Sequence, residues 1–261
     1  MGRRQTLRKK TSQAGTGGFL RSVQLVRDRV GSFDRYPFAM AAVRALDELP
    51  LHPRVTFFIG ENGSGKSTLL EAIAVAAGFN AEGGSKNFRF ATRPSESDLH
   101  KALRIVRHPT RERDGFFLRA ESLFNVATEI ETIQREAGGW LLGAYGGVSL
   151  HEQSHGESFL ALAKNRFRGN GLYILDEPEA ALSPSRQLAM LRVVDDLVVR
   201  HNSQFLIATH SPILMAYPHA TIYEFGADGI RATAYAETEH GELQILQTRR
   251  AHIESKNLPA I

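Results

Sequence analysis

Past an opening tail, apolar and polar residues alternate over 19–30 (FLRSVQLVRDRV), the two-residue period of a strand near a sheet edge. Segment 36–49 (YPFAMAAVRALDEL) reads as a short helix. VTFFIG (55–60) is an unbroken apolar run stopped by glycine, as expected of a strand buried on both faces. STLLEAIAVAAG (67–78) then has helical spacing up to Gly78, and 80–97 is polar and irregular. GFFLRAES (115–122) predicts another strand and 123–139 another helix. LYILDEPE (172–179) is an apolar strand closed by acids, 183–201 a helix with Pro184 in its first turn, and SQFLIATHSP (203–212) a strand. Segments 220–226 and 229–237 suggest a terminal hairpin. No repeat with a period of 20 to 50 residues is visible. Strands alternating with helices predict an α/β domain whose mainly parallel sheet is covered by helices on both faces.

Length and composition narrow this picture. A chain of 261 residues with 42% hydrophobic content can bury one full core. No apolar run approaches the ~20 residues of a membrane span, and no apolar segment follows the N-terminal arginines as in a secretory signal, so a cytoplasmic protein is expected. The absence of cysteine excludes disulfides, thiolate zinc sites and cysteine nucleophiles. The formal charge of +4 hints at nucleic acid, but Arg3, Arg4, Arg8, Lys9 and Lys10 lie together at the start. Without them 27 basic residues face 28 acidic ones, so the body is close to neutral. The expected layout is a basic disordered tail at 1–18, a single domain at 19–250 and a C-terminal tail at 251–261.

The chemistry concentrates in GENGSGKST (60–68), which satisfies G-x-x-x-x-G-K-[ST] between a predicted strand and a predicted helix. Glycines at 60, 63 and 65 let backbone N–H groups of Gly60, Glu61, Asn62, Gly63, Ser64 and Gly65 turn inward around a β-phosphate, and the helix start adds its positive end. Lys66 would reach the β- and γ-phosphates, Ser67 would ligate magnesium through its hydroxyl, and Thr68 would stand near the α-phosphate. Such a site needs a second carboxylate element, and LYILDE supplies Asp176 for the magnesium shell and Glu177 as general base toward water. His210, closing FLIATH, would face the same sheet edge and bond the γ-phosphate or the water. ATP and Mg2+ are the implied cofactors.

LHEQSHGESF (150–159) reads in two ways. From His151 it is H-E-x-x-H, the helical zinc pattern of metalloproteases, with Glu179 as a distant third ligand. From Ser154 it is the start of a helix that begins at Gly156 and runs through ESFLALAKNRF, which makes Ser154, Gly156 and Glu157 a second phosphate site. The loop-like residues before His151 and the glycine at 156 favour the second reading. One nucleotide does not need two such helix ends from one subunit, so the second would serve an ATP bound to a partner.

With the P-loop 60–68, SHGES at 154–158, LYILDEPEAALSP at 172–184 and ATHSP at 208–212, the chain resembles ABC-type ATPases over about 19–240. More closely it resembles stand-alone AAA-family ATPases related to the head domains of chromosome-maintenance and recombination-repair proteins. The resemblance implies an ATPase head with an antiparallel β subdomain and a short helical subdomain. It also implies two subunits sandwiching two ATP molecules head to tail, as a switch in DNA repair, chromosome maintenance or defence. The alternative is the ATP-binding subunit of an ABC transporter. Transporters resemble one another in a glutamine between P-loop and signature, and no glutamine stands between Gln24 and Gln134, so Arg119 or Glu121 would replace it. Ser183 stands where transporters usually show aspartate. Phe33, Tyr36 and Phe38 are candidates for stacking on adenine, or for ordinary packing. Segment 122–153 is too short for a long coiled coil, so the head would act on a protein partner or on nucleic acid held across the dimer.

Overall fold

The structure, a computed structural model, describes residues 17–86, 97–136, 154–238 and 241. The basic tail through residue 16, the His151–Gln153 part of the zinc pattern and the C-terminal tail lie outside the described residues.

The frame is a six-stranded sheet in the order β5 (Asp114–Arg119), β6 (Gly171–Asp176), β7 (Gln204–Ala208), β3 (Val55–Gly60), β8 (Thr221–Gly226), β9 (Gly229–Thr233). The first five are mutually parallel and β9 pairs antiparallel with β8. The apolar runs are continuous because alternate residues enter two different cores. Phe57, Phe116, Tyr173 and Phe205 point into a core shared with α4 (Leu123–Glu136), α5 (His155–Arg166) and α6 (Pro184–Arg200). Phe58, Phe117, Ile174 and Leu206 point the other way, toward α2 (Lys66–Ala76).

That second face is also covered by an antiparallel sheet, β2 (Glu48–Pro50), β1 (Leu20–Leu25), β4 (Leu103–Arg107), together with α1 (Ala41–Arg44) and α3 (Leu99–Ala102). A helix is thus only part of the cover there, and the antiparallel sheet is the β subdomain that the resemblance implies. The short helix expected over 36–49 is one turn followed by β2, and the strand expected over 19–30 stops at Leu25, where a 3-10 turn takes over. The acids after Asp176 leave the strand for a 3-10 turn, and the 203–212 strand ends at Ala208 before α7 (Pro212–Met215). Gln204, fully buried, joins the two sheets. Its Oε1 accepts from Phe19 N and Leu20 N at 2.8 Å each, and its Nε2 donates to Leu20 O (2.8 Å) and His52 O (2.9 Å). All four hydrogen-bonding positions of the amide are used, so a polar group deep in the core is satisfied.

The carboxyl ends of β6, β7 and β3 lie side by side in this order, and parallel sheets bind ligands outside such ends. The P-loop leaves β3, the acids leave β6 and His210 follows β7.

Candidate functional site

Lys66 opens α2 after Gly65, whose left-handed φ of 99° turns the loop into the helix. The lysine is buried, and its ammonium donates to Gly60 O and Glu61 O at 2.8 Å each. Two of its three protons hold the loop in shape, leaving the third for an anion at the loop mouth. Burial pulls its pKa below the ordinary lysine range, against the pull of Glu177, Asp176 and Glu179. Glu61, Asn62 and Gly63 are exposed at the loop tip, and a Cβ added to Gly63 would meet nothing within 4 Å. The space in front of the loop N–H groups is therefore open to a phosphate.

Ser67 Oγ donates to Asp176 Oδ1 at 2.9 Å across a sequence separation of 109 residues. Because the hydroxyl gives its proton to the carboxylate, its lone pairs remain available to a cation. Burial pushes the Asp176 carboxyl up to about 6, while Arg119 and the Ser67 bond act in the opposite direction. A cation beside this carboxylate would offset the burial, so the donor set fits a hard divalent ion completed by phosphate oxygens and water. No group of three or more His, Cys, Asp or Glu able to hold a metal occurs among the described residues.

Glu177 sits at φ 49° and ψ 50°, a left-handed conformation that costs a non-glycine residue about 1–3 kcal/mol. Its carboxylate lies 3.7 Å from His210 Nε2, and both side chains are partly exposed. Glu179 accepts the His210 N–H and so fixes that turn. Five buried side-chain N and O atoms lack a hydrogen-bond partner among the described residues, and four belong here: Ser64 Oγ, Arg119 Nε, Glu179 Oε2 and His210 Nε2. Buried polar groups are normally paired, so this concentration marks a place completed by something the chain alone does not supply. A cavity of about 700 Å³ opens on the β8 flank of the loop, between Met40, Ser64, His210 and Phe225.

Of the aromatic candidates, Phe33 and Phe38 pack against the core, while Tyr36 is exposed with its hydroxyl 3.2 Å from Thr68 Oγ1. Ser154, Gly156 and Glu157 form a separate place. Ser154 caps α5, whose first residue is His155, one earlier than the spacing suggests. Glu157 accepts from Ser154 N (3.1 Å), Ser154 Oγ (2.7 Å) and Arg186 Nη2 (2.9 Å). These bonds, with the Arg186 charge, hold its carboxyl below the usual range. A Cβ on Gly156 would stand 2.6 Å from Ala181 O, so only glycine lets α5 approach the loop after Glu177 this closely. The zinc pattern does not lie within one described helix, since α5 starts at its second histidine.

Two side chains at these places are missed by motif reading. Glu71, the one acid of α2, bonds Arg119 Nη1 at 2.7 Å; its isolation in an apolar helix is the signal that could have found it. Arg186, which braces the α5 cap, has no local signal.

A family model for an AAA domain matches residues 39–137. The chain is 32% identical over 162 residues to the thiamine import ATP-binding protein ThiQ of Haemophilus influenzae (strain 86-028NP), a match covering 59% of this chain and 74% of that protein. It is 32% identical over 175 residues to the aliphatic sulfonates import ATP-binding protein SsuB 3 of Paraburkholderia xenovorans (strain LB400), covering 63% of this chain and 64% of that one. Among solved structures, the SMC head domain from Thermotoga maritima is 17% identical with a TM-score of 0.42, over 82% of this chain and 98% of its own. A part of the ABC transporter complex cbiONQ from Clostridium perfringens is 16% identical with a TM-score of 0.47, over 80% of this chain and 89% of its own.

Proposed function

Since the chain belongs to the ABC-type family of P-loop ATPases, we propose that it hydrolyses ATP with magnesium and uses the nucleotide to join two copies head to tail. The observation that carries this reading is the Ser67–Asp176 bond beside Lys66, with Glu177 and His210 at the neighbouring strand ends.

In this reading the backbone of 60–65 and Lys66 hold the β- and γ-phosphates, and Thr68 with Tyr36 lines the way to the α-phosphate and base. Ser67 and Asp176 hold magnesium, which neutralises charge moved onto the phosphates during transfer. Glu177 takes the proton of the attacking water, and His210 bonds the γ-phosphate or that water. Ser154, Gly156 and Glu157 serve a nucleotide held by the second copy. The exposure of Ser154 and Glu157 at the positive end of a 12-residue helix supports this, with Gly156 buried between them against the loop after Glu177.

The protein then acts as a cytoplasmic ATP-controlled switch in DNA repair, chromosome maintenance or defence, on a partner protein or nucleic acid. A second reading, the ATP-binding subunit of a transporter, is favoured by the names of the relatives. Against it stand the absence of any glutamine between Gln24 and Gln134, where Arg119 or Glu121 would have to take the place of the transporter glutamine, and Ser183 where transporters usually show aspartate. Among the described residues no helix is long and apolar enough to cross a membrane.

Light scattering on wild type and Glu177→Gln with Mg-ATP tests the switch. The expected result is an ATP-dependent dimer of the variant that Ser154→Arg abolishes. A monomer that still turns over ATP would overturn head-to-tail pairing, and copurification with a membrane-spanning protein would favour the transporter.

A further inference from the structure

Arg119 ends β5 directly opposite Asp176 in the strand register and is largely buried. Its guanidinium faces three carboxylates. Nη1 bonds Glu71 Oε2 at 2.7 Å, Nη2 pairs with Glu121, and Nε stands 3.4 Å from Asp176 Oδ2. Glu71 is buried on α2, one turn beyond Ser67 and on the same helix face. One side chain thus ties the P-loop helix to the ends of β5 and β6.

We infer that Arg119, anchored by Glu71, is a positioning residue that fixes the rotation of the Asp176 carboxylate for a divalent cation. The inference rests on the reading of Ser67 and Asp176 as the magnesium site. Asp176 is useful there only while Oδ1 keeps the Ser67 proton, since that bond leaves the serine lone pairs for the metal. A carboxylate free to rotate would lose this alignment. The Arg119 charge, 3.4 Å from Oδ2, draws that oxygen to its own side by attraction without a hydrogen bond, and Glu71 prevents the guanidinium from following Glu121 out toward solvent. Lysine, a point charge without the planar fork, could not face three acceptors in fixed directions.

The test measures ADP affinity by calorimetry, in EDTA and in magnesium, for wild type, Ser67→Ala, Arg119→Lys and Glu71→Gln, with melting temperatures recorded in parallel. Magnesium should tighten binding to wild type, and Ser67→Ala should lose that gain. Arg119→Lys should bind as wild type in EDTA yet lose about tenfold of the magnesium gain, the size expected when a metal ligand loses its orienting partner. Glu71→Gln should shift in the same direction, and serves alone if Arg119→Lys does not fold. An unchanged magnesium gain with only a lowered melting temperature would make the pair structural and overturn the inference. A larger gain would show that Arg119 competes with the cation, which also overturns it. If wild type shows no gain at all, the magnesium reading itself falls and takes the inference with it.

Discussion

Strands β5 and β6 run side by side, and each end of the pair carries an aspartate, partly exposed at Asp114 and buried at Asp176. At the amino end, Asp114 accepts from Arg166 Nη1 (2.6 Å), Tyr173 OH (2.7 Å) and Arg168 N (3.0 Å). Burial alone would raise its pKa, but the Arg166 and Arg168 bonds outweigh it and hold the carboxyl below the ordinary range. At the carboxyl end, Asp176 has one hydrogen bond from Ser67 and an Arg119 nitrogen too distant to donate properly, and burial pushes it up to about 6. Asp176 is the more shielded from water of the two, and it also has the poorer supply of donors. A fully donated carboxylate is a closed structural joint, whereas an under-donated one beside a phosphate loop is a site left for a ligand to complete.

Removing each charge while keeping the shape would break or sharpen that contrast. Asp176→Asn should lower turnover on the order of 100-fold or more, measured by phosphate release, while Asp114→Asn should leave turnover per folded molecule within a few fold. A strong loss for both would erase the distinction between joint and site.

Stability should respond the other way round. Asp114→Asn removes the charge from a largely buried ion pair with Arg166 and should cost about 3 kcal/mol in urea unfolding. Asp176→Asn should instead stabilise the nucleotide-free protein at pH 7.5 by about 1–3 kcal/mol. The sign follows from linkage: a carboxyl raised from 3.8 to about 6 holds its proton longer in the folded state, so stability falls as pH rises across that interval. The advantage of Asp176→Asn should therefore vanish near pH 4. For Asp114, whose folded pKa is lowered, the stabilisation is present above the ordinary carboxylate range and is lost as pH falls through the folded value.

The smallest effect is expected from Tyr173→Phe. It removes one of the three donors to Asp114 and the acceptor of Gly169 N–H, for about 1 kcal/mol in the same unfolding assay, without change in nucleotide affinity.

The parts of the candidate site that were legible in the sequence are those whose chemistry is local. The P-loop carries its loop geometry and helix start within nine residues, and Asp176, Glu177 and His210 are named by the apolar strands they close. The start of α5 was legible to within one residue, because the apolar period that follows Ser154 is local, whereas the cap that joins Ser154 to Glu157 shows only in the structure. Glu71 with Arg119 was not, because the partners lie 48 residues apart and neither makes a motif alone. Strands β2 and β4 were missed on similar grounds. Three and five residues long, they become strands only by pairing with the two edges of β1, and their own patterns carry no period of two.

The sequence by itself therefore determined that a strand, a phosphate loop and a helix follow one another, and that one later strand runs out into acids and another is followed by histidine. Those are short-range matters of glycine freedom, apolar runs and capping. Only the tertiary structure decided which charges meet. The order β5, β6, β7, β3 lays Ser67 against Asp176 and Arg119 between Glu71 and Asp176, while the other end of the same strands closes on Arg166 and Tyr173. The physical reason is that a buried charge takes its character from the donors brought to it in space, and those donors come from segments far apart along the chain.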